Sequence, residues 1–155
     1  MEAKVRLSIK ALIIKDENLL CIKHIKNNEV YYGLPGGGQN FGETVEEAIK
    51  RECLEEAGLE VNPLQVAFVR DYIGKHHQFA KDSSDHHQVE IVFYCEALSE
   101  PKASLRSEMD THQVDIEWLP LKALSELNIF PSIYRTKINE FLKYKNFGLY
   151  LGDVN

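Results

Sequence analysis

The chain has 155 residues, 44% of them hydrophobic, and a formal net charge of −6. This length and apolar content predict one domain over 1–155, whereas the acidic balance argues against a polynucleotide partner, which requires a basic face to neutralise phosphates. The three cysteines are odd in number and lack a metal-ligand spacing, so we interpret them as reduced core residues of a cytoplasmic protein. The N-terminus lacks a signal-peptide pattern and no apolar run reaches membrane-spanning length, so we expect no membrane partner.

The first third of the chain is typical of β-strands. Segments 5–14 and 19–25 are rich in β-branched and aliphatic residues, and the polar residues between them predict a hairpin turn at 15–18. A third, shorter strand at 31–34 leads into a loop of three consecutive glycines at 36–38. Glycine runs usually mark ordinary turns, so these glycines alone indicate little about function.

A helix is predicted directly after the glycines. Thr44 followed by Glu47 is a capping box, so the helix should begin at Val45, and Gly58 is a natural stop. With about 100° between successive residues, one face carries an apolar stripe that should pack on the core. That stripe consists of Val45, Ala48, Ile49 and Cys53.

Carboxylates interrupt this apolar stripe. Glu52 and Glu56 fall within about 20° of Val45, near the centre of the stripe, and Glu55 lies on its edge. A buried carboxylate is costly unless it is paired, hydrogen-bonded or bound to a metal. Three of them on the inward side of one short helix therefore indicate a bound cation, and hard oxygen ligands favour Mg²⁺ or Mn²⁺.

An ordinary solvated acidic face is the alternative interpretation of the same helix. Under that alternative the three carboxylates would be surface residues. The helix would then bury Leu54 and expose Val45 and Ile49, which is the reverse of the arrangement that the apolar stripe predicts.

Residues 37–59 resemble the Nudix box, Gly-x5-Glu-x7-Arg-Glu-U-x-Glu-Glu-x-Gly-U, where U is a bulky aliphatic residue. The matching polar and glycine positions are Gly37, Glu43, Arg51, Glu52, Glu55, Glu56 and Gly58. Cys53 stands at an aliphatic position, but a reduced cysteine packs as a small hydrophobe. The resemblance implies the α/β Nudix fold, an α/β/α sandwich around a mixed β-sheet.

The resemblance also implies a reaction. Nudix hydrolases cleave a nucleoside diphosphate linked to another group by attack of water on phosphorus, with Mg²⁺ or Mn²⁺ as cofactor. Arg51 would be a catalytic residue, paired with Glu43 in a structural ion pair that orients the helix against the glycine loop. Either Glu52 or a carboxylate of a later loop would act as general base. The implied metal ligands are Glu52, Glu55, Glu56, the backbone of Gly37 and, from that later loop, Glu108 in slight preference to Asp110.

The rest of the chain predicts further strands and a closing helix. Strands are expected at 64–72, 89–97 and 114–119, with a short helix or turn at 121–127 and a short strand at 149–151. A helical stripe near the end is formed by Ile133, Ile138, Phe141 and Leu142. We expect Glu90 at a partly exposed sheet position. The histidine-rich segment 74–88 is interpreted as a solvated loop rather than a metal site.

Resemblance to the family places this histidine-rich segment beside the substrate. Tyr72 and Phe79 could then stack on a base, and Tyr32, together with Tyr31, could line the nucleotide pocket. A small-molecule nucleotide is thus the expected partner. The sequence is compatible with a homodimer but does not predict one.

The substrate is less closely defined. A proline about sixteen residues after the box marks ADP-ribose hydrolases of the family, and this chain has none there. We therefore expect a nucleoside triphosphate or a nucleotide sugar as substrate. The alternatives are an ADP-ribose pyrophosphatase without this proline, or a Nudix-fold sensor that binds a nucleotide without cleaving it, although such sensors usually lose the box carboxylates.

Overall fold

A mixed β-sheet organises the protein in the computed structural model, which describes residues 3–78, 80–107, 111–144 and 149–155. Within these residues the strands are β1 Arg6–Lys15, β2 Asn18–Lys26, β3 Glu29–Gly33, β4 Gly36–Gly38, β5 Val61–Ile73, β6 His87–Ala97, β7 Gln113–Pro120 and β8 Tyr150–Asp153. The α-helices there are α1 Val45–Ala57, the single turn α2 Ala80–Ser83, and α3 Tyr134–Tyr144. The strand order is β3-β2-β1-β6-β5-β8, with β4 paired to β1 and β7 paired to β2.

The sheet contains both parallel and antiparallel pairs. Strands β1 and β6 run parallel, as do β5 and β8, whereas β1–β2, β2–β3, β2–β7 and β5–β6 are antiparallel. The predicted hairpin between β1 and β2 turns at Asp16 and Glu17, both with positive φ. Two adjacent residues with positive φ form a turn whose twist matches the right-handed twist of the two flanking strands.

Helices cover the two faces of this sheet and give it two apolar layers. The α1 side packs Ile9, Ala11 and Ile13 of β1 against the helix, and the α3 side packs Leu12 together with residues of β5 and α3. Because successive residues of a strand point to opposite faces, the buried β1 contributes to both layers. The predicted α/β/α sandwich around a mixed sheet is confirmed.

The three cysteines are free and buried in these layers. Cys21 lies on the α3 side, whereas Cys53 and Cys95 lie on the α1 side. Burial raises the pKa of the Cys21 and Cys95 thiols to about 12, because a thiolate is poorly solvated among apolar groups. These contacts agree with the interpretation of the cysteines as reduced core residues.

Three features differ from expectation or refine it. The expected glycine loop is partly a strand, because β1 pairs with it residue by residue from Ser8–Gly38 to Lys10–Gly36. Glu90 is 2% exposed rather than partly exposed, and this burial is tolerated because Arg70 on the neighbouring strand supplies the countercharge. The segment 74–88 contains a 3-10 turn and α2 rather than continuous loop.

Among the helices of the described residues, none is long and apolar enough to span a bilayer.

Candidate active site

Helix α1 begins and ends as its sequence predicts. Thr44 Oγ1 accepts a hydrogen bond from the Glu47 N–H at 3.1 Å, and the Glu47 carboxylate accepts one from the Thr44 N–H at 2.7 Å. Gly58 closes the helix with φ 63°, a left-handed conformation that favours glycine. A Cβ there would also lie 1.9 Å from the Lys102 carbonyl oxygen. These two ends fix the rotation of the helix and hence the direction of its carboxylates.

The apolar stripe of α1 faces the core. Ala48, Ile49 and Cys53 are fully buried, whereas Leu54 is 40% exposed. Val45 is partly buried against the same core. The alternative of a solvated acidic face is wrong, because it requires the opposite burial. Glu52, Glu55 and Glu56 lie at partly buried positions beside the stripe.

Arg51 and Glu43 form a two-pronged ion pair. Arg51 Nε donates to one Glu43 oxygen at 3.0 Å and Nη2 donates to the other at 2.6 Å. The same Nη2 donates to the Gly38 carbonyl oxygen at 3.0 Å. The Arg51 guanidinium and a hydrogen bond from the Asn40 N–H hold the pKa of Glu43 at about 2. The pair ties α1 to the glycine strand β4.

The same guanidinium reaches two of the predicted metal ligands. Arg51 Nη1 donates to Glu52 Oε1 at 2.9 Å and to Glu55 Oε2 at 3.1 Å. Burial raises the pKa of Glu52, and the negative charges of Glu56 and Glu55 add to this effect, while Arg51 opposes it. Since the pKa remains raised, the contact with Arg51 does not outweigh the burial of this carboxylate.

The side-chain carboxylate of the third predicted ligand, Glu56, is held by neutral groups. Glu56 Oε2 accepts the Gly36 N–H at 2.8 Å, and Oε1 accepts Gln113 Nε2 at 2.9 Å. Its backbone carbonyl accepts Arg106 Nε at 2.5 Å. No local sequence signal identifies Gln113 or Arg106, because they lie 57 and 50 residues along the chain from Glu56.

Gly37 lies directly against Glu52. A Cβ placed on Gly37 would approach Glu52 Oε1 to 2.6 Å, so glycine leaves space that the carboxylate uses. The donor set here consists of carboxylate and backbone oxygens, which is the chemistry that hard divalent cations prefer. Within the described residues, histidine, cysteine, aspartate and glutamate side chains form no group of three arranged to hold a metal. Two predicted loop carboxylates, Glu108 and Asp110, lie outside the described residues.

A separate cavity of about 640 Å³ opens on the other side of the sheet. Tyr72 lines it, whereas Tyr32 does not; the Tyr32 hydroxyl donates to Glu117 at 3.0 Å. The predicted stacking residue Phe79 lies outside the described residues. Other residues that line the cavity include Tyr31, Arg70, Gln88, Asn128, Phe130 and Asn155.

Backbone pairing connects this cavity to the glycine strand. Gly38 pairs with Ser8, Ser8 with Glu90, and Glu90 with Arg70, which lines the cavity. Three steps between neighbouring strands cover about 14 Å. Gly38 of the box and Arg70 of the cavity therefore lie at the same level of the sheet.

The histidine-rich segment is bound to strand β8. Asp153 accepts a hydrogen bond from the Ile73 N–H at 3.0 Å, and its carboxylate pairs with His76 Nδ1 at 2.8 Å and with His77 Nε2 at 2.6 Å. Burial raises the pKa of Asp153, but these three partners outweigh burial and lower it to about 2. His76 and His77 thus pair with a carboxylate.

Comparison with known proteins agrees with this geometry. The NUDIX domain family matches residues 4–138. An ADP-ribose pyrophosphatase of Methanocaldococcus jannaschii is 29% identical over 141 residues, which are 90% of this chain and 74% of that protein. A NUDIX hydrolase of Nitrosomonas europaea shares the fold with a TM-score of 0.75 and 19% identity, over 94% of each chain.

A MutT protein of Methanosarcina mazei Go1 has a TM-score of 0.69 at 20% identity, over 94% of this chain and 99% of its own. These structural likenesses concern the fold. The family match covers most of the chain and includes the whole box and the four strands that line the cavity, β2, β3, β5 and β6. The chain therefore belongs to the NUDIX domain family and, as predicted, is a pyrophosphohydrolase.

Proposed function

We propose that this protein is a divalent-metal-dependent hydrolase of a nucleoside diphosphate joined to a sugar, with ADP-ribose as the first candidate substrate. The observation that carries the proposal is the packing of Glu52 against Gly37 while Arg51 ties it to Glu43. The similarity to the Methanocaldococcus jannaschii ADP-ribose pyrophosphatase supports ADP-ribose. The absence of the downstream proline is then a departure from the family mark rather than an exclusion.

Metal binding is assigned to the carboxylates of α1. Glu52, Glu55 and Glu56 would hold Mg²⁺ or Mn²⁺, together with the Gly37 carbonyl and Glu108. A bound divalent ion lowers the pKa of an attacking water and offsets the charge of the pyrophosphate oxygens. The protein orients these carboxylates itself, since the Arg51 guanidinium donates to both Glu52 and Glu55.

Glu52 is our candidate general base. A carboxylate with an ordinary pKa is a weak base at neutral pH, and proton transfer becomes more effective as the pKa of the base approaches the working pH. Burial and the neighbouring carboxylates move the pKa of Glu52 in that direction. Arg51 limits this shift and keeps the side chain in place.

The cavity suits the nucleoside part of the substrate. Tyr31, Tyr72 and Phe130 supply aromatic surface, and Gln88 and Asn128 supply amide groups. Aromatic faces stack on bases of any identity, whereas amides can read the edge of one base. Stacking by Phe79 and a contact from Tyr32 remain predictions.

Reduced buried thiols support a cytoplasmic location, which we propose together with a single domain over the whole chain. All three cysteines are free and lie in the core layers. Free buried thiols are typical of reducing compartments.

Product release from a substrate panel tests the proposed function. The panel contains ADP-ribose, a UDP-sugar and the nucleoside triphosphates, each with Mg²⁺ or Mn²⁺. We expect AMP and ribose 5-phosphate from ADP-ribose, and a decrease in turnover on the order of 10³-fold for Glu56→Gln, which removes a ligand charge. Glu46→Gln, at an exposed position in the first turn of α1, is the matched control and should retain wild-type activity.

Each other outcome has a definite meaning. Preferential hydrolysis of nucleoside triphosphates would replace ADP-ribose with the other predicted class. Wild-type activity in Glu56→Gln would overturn the metal assignment. No turnover on the whole panel, with nucleotide binding retained, would favour a sensor.

A further inference from the structure

The last turn of α1 is fastened to the segment that leads into β7. The Ser107 N–H donates to the Glu55 carbonyl at 2.9 Å, and Arg106 Nε donates to the Glu56 carbonyl at 2.5 Å. Further along, Gln113 Nε2 donates to the Glu56 carboxylate at 2.9 Å. Residues on both sides of 108–110 therefore contact the same turn of α1, but Gln113 is the one of these three that contacts a carboxylate.

The Gln113 contact completes the restraint of Glu56. One carboxylate oxygen is held by the Gly36 N–H, a backbone group that β4 keeps in place, and the other is held by Gln113. A carboxylate bonded through both oxygens cannot rotate without losing a bond. Gln113 thus fixes the plane in which Glu56 offers its remaining lone pairs.

A β-bulge accompanies Gln113 at the start of β7. Lys23 pairs with Asp115 and His24 pairs with Gln113, so Val114 is the extra residue of the ladder. Val114 is 48% exposed. Bulges interrupt regular alternation and redirect neighbouring side chains, which accounts for a sheet residue that reaches the helix.

The oxygen of the Gln113 side-chain amide has an unusual environment. Within the described residues, Gln113 Oε1 is shielded from solvent and has no hydrogen-bond partner. Buried polar atoms are nearly always satisfied, so such an atom requires an explanation. Gln113 thus holds the predicted metal ligand Glu56 at Nε2 and keeps an unsatisfied acceptor beside it.

We propose that Gln113 is a positioning residue for the metal site, acting through Glu56. The inference rests on the proposed function, because it assumes that Glu56 binds the divalent ion. Hydrogen bonds to ligating side chains restrict their orientation, and their removal typically weakens metal binding by about 10-fold to 100-fold. Gln113 touches neither substrate nor reacting atoms in this role.

Direct Mn²⁺ binding tests this role without any dependence on turnover. The full chain is titrated with Mn²⁺ without substrate, and free Mn²⁺ is followed by electron paramagnetic resonance. For Gln113→Met, which keeps the length of the side chain but cannot donate, we expect the Mn²⁺ Kd to rise about 10-fold. The control is Gln65→Met, at an exposed position of β5, which should change Kd less than about twofold.

Two further measurements distinguish positioning from general destabilisation. Thermal unfolding of the metal-free protein should be nearly the same for Gln113→Met and Gln65→Met. Saturating Mg²⁺ should return kcat of Gln113→Met to within about threefold of wild type, because excess metal compensates for a weaker site. If Gln113→Met does not fold, the shorter Gln113→Asn replaces it in the same measurements.

The possible failures are separable. An unchanged Mn²⁺ Kd in Gln113→Met, or an increase matched by Gln65→Met, would overturn the role of Gln113 while leaving the proposed function intact. A loss of kcat that saturating Mg²⁺ does not restore would also overturn it. If the wild-type protein binds no Mn²⁺ and hydrolyses nothing, the proposed function fails first.

Discussion

Two clusters of charged residues, one on each side of the sheet, use arginine in different ways. On the α3 side, Arg70 and Glu90 form a pair whose side chains are only 5% and 2% exposed. Glu90 accepts Arg70 Nε and the Tyr134 hydroxyl on one oxygen and Gln88 Nε2 on the other. On the α1 side, Arg51 is shared among Glu43, Glu52 and Glu55, whose side chains are partly exposed.

The difference concerns how completely charge is compensated. Arg70 pairs with Glu90 and with no other carboxylate of the described residues, and both Glu90 oxygens accept hydrogen bonds. The charge of Glu90 is therefore compensated without another cation. Glu52 shares Arg51 with two other carboxylates, and its pKa stays above the ordinary value. Breaking a closed pair of the first kind leaves a buried charge without its partner, whereas an open cluster of the second kind is suited to bind an ion.

Glu52→Gln breaks the open cluster and should have the largest effect. We expect kcat to fall on the order of 10³-fold, because a metal ligand and candidate base is lost. Metal-free stability should be equal to wild type or higher, since a partly buried charge with a raised pKa is removed. Steady-state kinetics and urea unfolding measure the two effects. A large loss of stability would mean that the α1 cluster is structural, like the pair on the other side.

Glu90→Gln breaks the closed pair and should show the reverse behaviour. We expect the free energy of unfolding to fall by about 3 kcal/mol, because the buried Arg70 guanidinium loses its countercharge. The double variant Arg70→Met/Glu90→Met should recover part of this loss, since no charge is then left unpaired. Urea unfolding of the three proteins measures both effects. A fall of less than about 1 kcal/mol would contradict the assignment of Glu90 as the countercharge of Arg70.

Glu43→Gln should have the smallest effect, and it should depend on pH. The folded-state pKa of Glu43 is about 2 against an ordinary 4.5. The ion pair with Arg51 therefore contributes stability that is fully present above about pH 4.5 and is lost as the pH falls through 2. Unfolding free energies of wild type and Glu43→Gln should differ at pH 6 and converge towards pH 2. A difference that is constant with pH would contradict the assignment.

Local signals explain what could be predicted from the sequence. Helix α1 was predicted to the residue, because its start depends on Thr44 and Glu47 and its end on Gly58, all within or next to the helix. The hairpin of β1 and β2 likewise depends on adjacent residues. By contrast, β4 forms because β1 offers a partner edge, and three glycines carry no strand preference of their own.

Contacts between distant residues account for what the sequence could not show. The burial of Glu90 follows from Arg70 on another strand, and periodicity does not reveal which face of a strand is covered. Gln113 reaches Glu56 through a bulge and across 57 residues, so no spacing rule identifies it. Tyr31 lines the cavity while the adjacent Tyr32 bonds Glu117, a choice that the alternation of a single strand leaves open.

The buried cysteines give each apolar layer its own chemical reporter. Alkylating reagents attack the thiolate, and burial keeps these thiols protonated and covered in the folded protein. Modification of Cys21 therefore requires opening of the layer beneath α3, and modification of Cys53 or Cys95 requires opening of the layer beneath α1. Mass spectrometry of pulse-labelled protein can thus follow the separation of the two helices from the sheet independently, without an introduced probe.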